Sequence, residues 1–237
     1  MSVSAQTLYA VIEATWPPAR SWEQDGWTLR DGAHGGQRVS AATMTHADAD
    51  PADAEADMMA RVGRALFMIQ EGDEALDVTL AARGYQIKDP VNLYVCPLAQ
   101  LTDVPIPRVT AFTIWEPLAI MAEIWAQGGI GPGRLDVMAR ARTKTGVLCR
   151  LNEKPAGVAF AAVHDNFCMV HAVETLPHQR RQGAANWMMR KAAFWAAENG
   201  AEHMSVLCTQ ANAGANALYT SLGMEVVGQY HYRIRED

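Results

Sequence analysis

A mixed α/β fold, laid down as two successive units, is predicted by three features of the sequence. Short strand-like apolar runs alternate with segments of helical period throughout the chain. In the second half, three hairpin-linked strands are followed by helix, strand, helix and strand, the order of a mixed sheet. One strand–helix–glycine–strand pattern also occurs twice at a constant offset of 139 residues, Phe67 matching Val206 and Gly84 matching Gly223.

The chain has 237 residues, 49% hydrophobic and 19% charged, enough apolar material for one large domain or two small ones. Its formal net charge is −6 and no block of like charges occurs, so neither a nucleic-acid backbone nor an anionic membrane surface is an expected partner. No stretch approaches the roughly 18 apolar residues of a spanning helix, and the first residues lack a basic leader, so a cytoplasmic protein is expected. The four cysteines, Cys96, Cys149, Cys168 and Cys208, form no C-x-x-C pair and lie in strand-like runs, the pattern of buried thiols rather than of disulfides or a metal site.

In the first half, Leu8, Val11 and Ile12 mark a helix from Thr7 to Ala14, which Trp16-Pro17-Pro18 stops. Gly26 to Arg30 and Arg38 to Thr43 read as two strands of a hairpin, with Asp31-Gly32 and Gly35-Gly36 between them. A helix from Asp53 to Leu66, a strand Phe67 to Ile69, a helix Glu74 to Arg83 closed by Gly84, and a strand Val91 to Val95 follow. Three prolines between Pro97 and Pro107 then predict a stiff extended segment. The domain boundary is placed there: residues 1–98, a linker at 99–109, and a second domain at 110–237.

The second half reads as a strand Ala111 to Trp115, helices Pro117 to Ala126 and Leu135 to Arg142, and strands Gly146 to Leu151, Gly157 to Val163 and Phe167 to Glu174. A long helix from Gly183 to Asn199, a strand Met204 to Cys208, a helix Asn212 to Leu222 and a strand Glu225 to Ile234 complete it.

The stretch that carries chemistry is Val173 to Ala185, where a strand enters a tight turn that opens the long helix. A helix N-terminus has unpaired N–H groups and partial positive charge, and so holds phosphate. Gly183, Ala184 and Ala185 allow close approach to the backbone, and Arg180 and Arg181 add charge. A solvated basic helix start explains the composition equally well.

Arg180-Arg181-Gln182-Gly183-Ala184-Ala185 resembles the Q/R-x-x-G-x-G/A motif of the GNAT (Gcn5-related N-acetyltransferase) superfamily, with Pro177 three residues before it. Asn212 to Met224 resembles that family's N-x-x-A-x-x-L-Y-x-x-x-G-F signature, Met224 replacing the usual aromatic. The two blocks together are specific, and the resemblance covers roughly Thr110 to Tyr232. The first half resembles the same fold faintly, through Trp22, Gly26 to Arg30 and Arg38-Val39-Ser40, in the manner of two-copy bacterial members with a degenerate first copy. It lacks the phosphate turn.

The resemblance implies acetyl-CoA as cosubstrate, no metal, and an amine acceptor, either a small molecule or a protein amine. Val173 to Thr175 would flank the pantetheine arm, and the Val173 N–H would polarise the thioester carbonyl. Main-chain N–H groups of Arg181, Gln182, Gly183, Ala184 and Ala185 would hold the pyrophosphate, with Arg180 beside them. Asn212 would either hydrogen-bond the cofactor or cap its own helix. Tyr219 would protonate the leaving thiolate, or else be a core tyrosine. The strand glutamate that some members use as base is replaced by Met169; Glu174 and His171 are the nearby candidates, and a water chain is the other route.

Two functions compete: an N-acyltransferase acting by direct amine attack, and a non-catalytic acyl-CoA-binding or sensing module. Tyr219 favours the first. The tail Tyr230-His231-Tyr232-Arg233 either borders an acceptor pocket or forms an edge strand. Monomer and homodimer are both compatible with a two-copy chain.

Overall fold

The structure, a computed structural model, describes residues 3–235. The first half runs α1 (Ala5–Thr15), β1 (Arg20–Gln24), β2 (Trp27–Asp31), β3 (Thr43–Met44), α2 (Pro51–Val62), β4 (Leu66–Ile69), α3 (Glu74–Ala82) and β5 (Gln86–Pro97). The second runs β6 (Ala111–Ile114), α4 (Ala119–Gln127), α5 (Pro132–Arg140), β7 (Thr143–Leu151), β8 (Lys154–His164), β9 (Phe167–Thr175), α6 (Ala184–Glu198), β10 (His203–Thr209), α7 (Ala213–Ser221) and β11 (Glu225–Ile234).

Eight strands form one mixed sheet in the order β4-β11-β5-β10-β9-β8-β7-β6, while β1-β2-β3 form a small antiparallel meander. A single parallel bridge, Ala42 to Phe67, links the meander to β4. Methionines and alanines of α6, among them Met188, Met189, Ala192 and Ala196, cover one face of the main sheet against Ala159, Val170 and Val206. Trp16, α4 and α5 cover the other face through Met121, Ile124, Trp125 and Val137 against Val158 and Phe160. The alanine-rich inner side of α6 lets it lie close to the strands that carry it.

The repeat is written into the strand register. In β11 and β5, Glu225 faces Val95 and Ile234 faces Gln86, so each pair maps onto the other when 139 is added to one residue and subtracted from the other. The same operation maps the Val95–Ser205 and Leu93–Leu207 pairs of the β5–β10 ladder onto the Ile234–Leu66 and Tyr232–Met68 pairs of the β4–β11 ladder. It also maps a polar knot. Asp77 Oδ1 accepts from His231 Nε2 at 2.8 Å and Arg233 Nε at 2.7 Å. Asn216 Oδ1, 139 residues on, accepts from Asn92 Nδ2 at 3.1 Å and Tyr94 Oη at 2.8 Å. Each α-helix thus clasps the last strand of the other half, and β5 and β11 are exchanged across the centre of the sheet.

Several expectations need correction. Arg38 to Thr43 is not a strand. Residues 37–40 form a turn in which Ser40 and Ala41 N–H both donate to Gln37 O, at 3.0 and 2.9 Å, and β2 pairs instead with the two residues of β3. The hairpin is β1–β2, closed by Asp25 and Gly26 at φ 49° and 82°. β1 has no sequence signal because solvent reaches both of its faces. β5 is longer than Val91 to Val95, passing through Asp89 at φ 46° and Pro90 before reaching Gln86. The tail is no edge strand, since β11 lies between β4 and β5. All four cysteines are free and buried on β5, β7, β9 and β10. Within the proline-rich segment, Leu98 and Leu101 are buried in the core beneath α6.

Candidate active site

The site is centred where β9 leaves β10. The two strands pair in parallel only from Phe167–His203 to Val170–Val206. Beyond that, β9 continues along β8 alone and β10 along β5 alone, which opens a wedge between them. A bulge produces the divergence: the register of β8 and β9 slips between Val158 and Phe160, and Ala172 takes φ 52°. Trp125 Nε1 donates to Ala172 O at 2.8 Å, so a fully buried tryptophan on α4 fixes the bulged carbonyl. Val173, Glu174 and Thr175 follow, partly buried, with main-chain groups on the β10 side left unpaired by the wedge.

After Thr175 a 3-10 turn (Pro177–Gln179) leads to Arg180, whose Nε folds back onto Thr175 O at 3.3 Å. Arg181 at φ 63° and Gly183 at φ 86° then curl the chain into the start of α6. Gly183 is the N-cap and supplies no side-chain cap. Among the described residues, no acceptor is bonded to the main-chain N–H groups of Arg181 to Asn186. The Gln182 side chain is held by His178 O at 3.2 Å and Asn152 Nδ2 at 3.3 Å. This uncapped, left-handed entry leaves main-chain donors free, the arrangement that can take an anion, and a β-carbon at position 183 would be strained whatever space it found. The arrangement fits a pyrophosphate held by Gly183, Ala184 and Ala185.

α7 places Tyr219 on the α6 side of the sheet. The residue is 4% exposed, its ring lies 5.6 Å from that of Tyr94, and its hydroxyl has no hydrogen-bond partner among the described residues. Burial first, then the nearby Cys208 and Glu174, push its pKa up, so the phenol stays protonated and available as a donor. Asn212 caps α7, Oδ1 accepting Ala215 N–H at 3.1 Å. Glu174 is drawn up from the usual carboxylate range by burial, against the pull of Arg180 and Arg134. A β-carbon on Gly128, at the end of α4, would collide with the Glu174 carboxylate, so the glycine is what leaves room for it.

His171 behaves differently. It is 4% exposed; its Nδ1 lies 3.1 Å from Arg38 Nη1 and its Nε2 2.9 Å from Thr15 Oγ1. Arginine only donates, so Nδ1 accepts and Nε2 carries the proton. Burial, then Arg38, hold its pKa well below the ordinary value. With both ring nitrogens engaged, the imidazole has no lone pair for an amine. Met169 is fully buried in the core beneath α1.

Sequence reasoning assigned no role to Trp125, Arg134, Tyr94, Asn216 or Arg38. Asn216 was within reach, since it stands at the repeat position of Asp77. Trp125 and Arg38 carry no local signal, because their partners lie 47 and 133 residues away.

Residues 113–224 match the Acetyltransferase (GNAT) family model. This stretch is similar to the GNAT family. An 83-residue stretch of the chain is 28% identical to the uncharacterized N-acetyltransferase YobR of Bacillus subtilis (strain 168) and covers 35% of this chain and 34% of that protein. Over whole chains, the fold is similar to a GCN5-related N-acetyltransferase from Kribbella flavida, with TM-score 0.73 and 19% identity over 100% of this chain and 97% of that one. It is also similar to a tandem GNAT protein from the clavulanic acid biosynthesis pathway, with TM-score 0.61 and 14% identity over 97% and 87% of the two chains. No described helix is long and apolar enough to cross a membrane. Among the described residues no cluster of three His, Cys, Asp or Glu side chains could hold a metal ion.

Proposed function

We propose that the chain transfers an acetyl group from acetyl-CoA to a primary amine by direct attack. The observation that carries this reading is the uncapped N-terminus of α6, placed directly after a strand that has parted from its neighbour. Acetyl-CoA supplies the activated acyl group as a thioester. Main-chain N–H groups from Arg181 to Ala185 bind its pyrophosphate, and Arg180 adds charge at the rim. The free edge at Val173 to Thr175 orients the pantetheine arm, and the Val173 N–H stabilises charge on the carbonyl oxygen. Tyr219 donates its phenolic proton to the departing sulfur. Glu174, with its raised proton affinity, accepts the proton that the amine sheds as the new C–N bond forms and the C–S bond breaks.

The same reading makes residues 1–98 a degenerate first copy of the GNAT fold, joined by residues 99–109 to the catalytic copy at 110–237. The 139-residue correspondence of ladders and polar knots supports it.

The test is calorimetric titration with acetyl-CoA, followed by CoA-thiol release with a panel of primary amines. Binding with acyl transfer is the expected outcome. Binding without release to any amine would favour the acyl-CoA-sensing module, and absence of binding would remove the assigned cosubstrate.

A further inference from the structure

Between the two halves lies a cavity of about 220 Å³, room for about seven waters at ~30 Å³ each. Its walls include Trp16, Arg38 and Asp89 from the first half and Arg134, Ala172 and Tyr230 from the second. Ala172 is the bulged residue that opens the wedge, and Thr209, at the end of β10, lines the cavity from the wedge's other side. The cavity therefore adjoins the point where acyl transfer is proposed, on the face of the sheet that carries α1, α4 and α5.

Its polar lining is out of balance. Of three arginines that reach into the interior, Arg30 and Arg233 are buried and pair with Glu13 at 3.0 Å and Asp77 at 2.7 Å, while Arg38 is half-buried. Arg38 has no carboxylate partner among the described residues. Its Nη1 meets neutral His171, its guanidinium carbon lies 5.6 Å from the Trp16 ring, and its Nε is buried with no acceptor. Tyr230, 3% exposed, has a buried hydroxyl with no hydrogen bond of good geometry, although it and Tyr232 lie close enough to Arg38 to interact with its guanidinium. The other titratable groups of the lining are Tyr232, neutral at physiological pH, and two exposed charges of opposite sign, Arg134 and Asp89. Two guanidiniums against one carboxylate make this cavity positive in a chain of formal net charge −6. A buried cation without a counter-charge is costly, and orphaned buried donors are rare unless something occupies the site.

We infer that this cavity binds the carboxylate of the acceptor, so that the substrate is a small amino-carboxylate and Arg38, from the copy that lacks the phosphate turn, is its anchor. The inference rests on the acetyltransferase reading and specifies its acceptor. Arg38 and the Tyr230 hydroxyl take the carboxylate, Arg134 adds charge at the mouth, and the amine is left to face Ala172. Guanidinium–carboxylate recognition suits this geometry because it is directional and holds its charge at every physiological pH.

The test uses the full chain at saturating acetyl-CoA and follows CoA-thiol release with matched acceptors: glycine, alanine, leucine, glutamate, lysine and β-alanine, each beside the amide of its backbone carboxylate. The expected result is at least one acid that exceeds its amide by about tenfold or more in kcat/KM, chiefly through KM. Arg38→Gln then brings the acid-to-amide ratio of kcat/KM close to one, while acetyl-CoA affinity stays at the wild-type level. Arg134→Gln, at an exposed position, narrows the gap by a smaller factor and decides the matter if Arg38→Gln does not fold. Turnover with acids and amides used equally, or amides preferred, overturns this inference and leaves the acetyltransferase reading intact. Acetyl-CoA binding with no release to any acceptor defeats both.

Discussion

The N-termini of α2 and α6 can be compared, α2 leading from the meander to β4, joined by one parallel bridge at Ala42, and α6 from β9 to its parallel neighbour β10, and they are finished in opposite ways. α2 is capped by Asp50, whose Oδ1 accepts Ala52 N–H at 2.9 Å, with Pro51 removing one donor and Asp53 adding negative charge. α6 begins at Gly183 with no side-chain cap, two consecutive arginines, Arg180 and Arg181, in the turn before it, and no acidic residue in its first turn. One helix has satisfied its own N-terminus; the other has left its donors free. A second contrast lies 139 residues apart on α3 and α7. Leu80, fully buried, stands in the first half where Tyr219 stands in the second. The fold accepts an aliphatic residue there, so packing does not account for the tyrosine, and its unpartnered hydroxyl points to chemistry.

The sharpest way to break this comparison is Gly183→Glu, which sets bulk and negative charge at the start of α6 and strains a φ of 86°. Acetyl-CoA affinity should fall by roughly 100-fold or more, measured by calorimetry on a protein with wild-type circular dichroism. Asp50→Ala in the other helix should cost about 0.5–2 kcal/mol of stability and leave affinity unchanged. Equal loss in the two variants would sink the distinction.

Next comes Tyr219→Phe. Turnover should drop roughly 10²-fold while acetyl-CoA affinity stays level, and Tyr219→Leu should fold as well as Leu80 does in the first copy. Wild-type turnover in Tyr219→Phe would strike the residue from the mechanism.

The smallest effect separates the two polar knots. Asp77→Ala removes charge-assisted bonds, worth about 1.5–3 kcal/mol, whereas Asn216→Ala loses neutral ones near 1 kcal/mol each. Arg233 first, and His231 with it, hold the Asp77 carboxyl below its usual range. Its contribution is therefore present above the unfolded carboxylate value of about 3.9 and is lost as pH falls through the lower folded value. Denaturant melts of Asp77→Ala and wild type should converge at acid pH; a constant gap between them would contradict the assignment.

Much of the GNAT copy was legible. The bounds of β11 agree with the Glu225–Ile234 reading, and the tight turn that opens α6 was legible because its residues are contiguous in the chain. The roles of His171 and Arg38 were not legible. A histidine on a strand gives no sign of which atoms meet its ring, and Arg38 sits in a Gly-rich loop whose strand reading failed because its turn bonds outcompete the ladder. Asn212 was ambiguous between cap and ligand, and its bond to Ala215 N–H makes the cap real.

The sequence by itself determined the helix that offers its N-terminus, the tyrosine on α7 and the 139-residue repeat, since each depends on residues within a few turns of one another or on a pattern that can be counted. Only the tertiary structure decided that β5 and β11 change places, and that Arg38 meets His171 across 133 residues. Strand exchange and cavity walls are set by which distant surfaces bury each other, and burial is a property of the packed whole that no local run of residues contains.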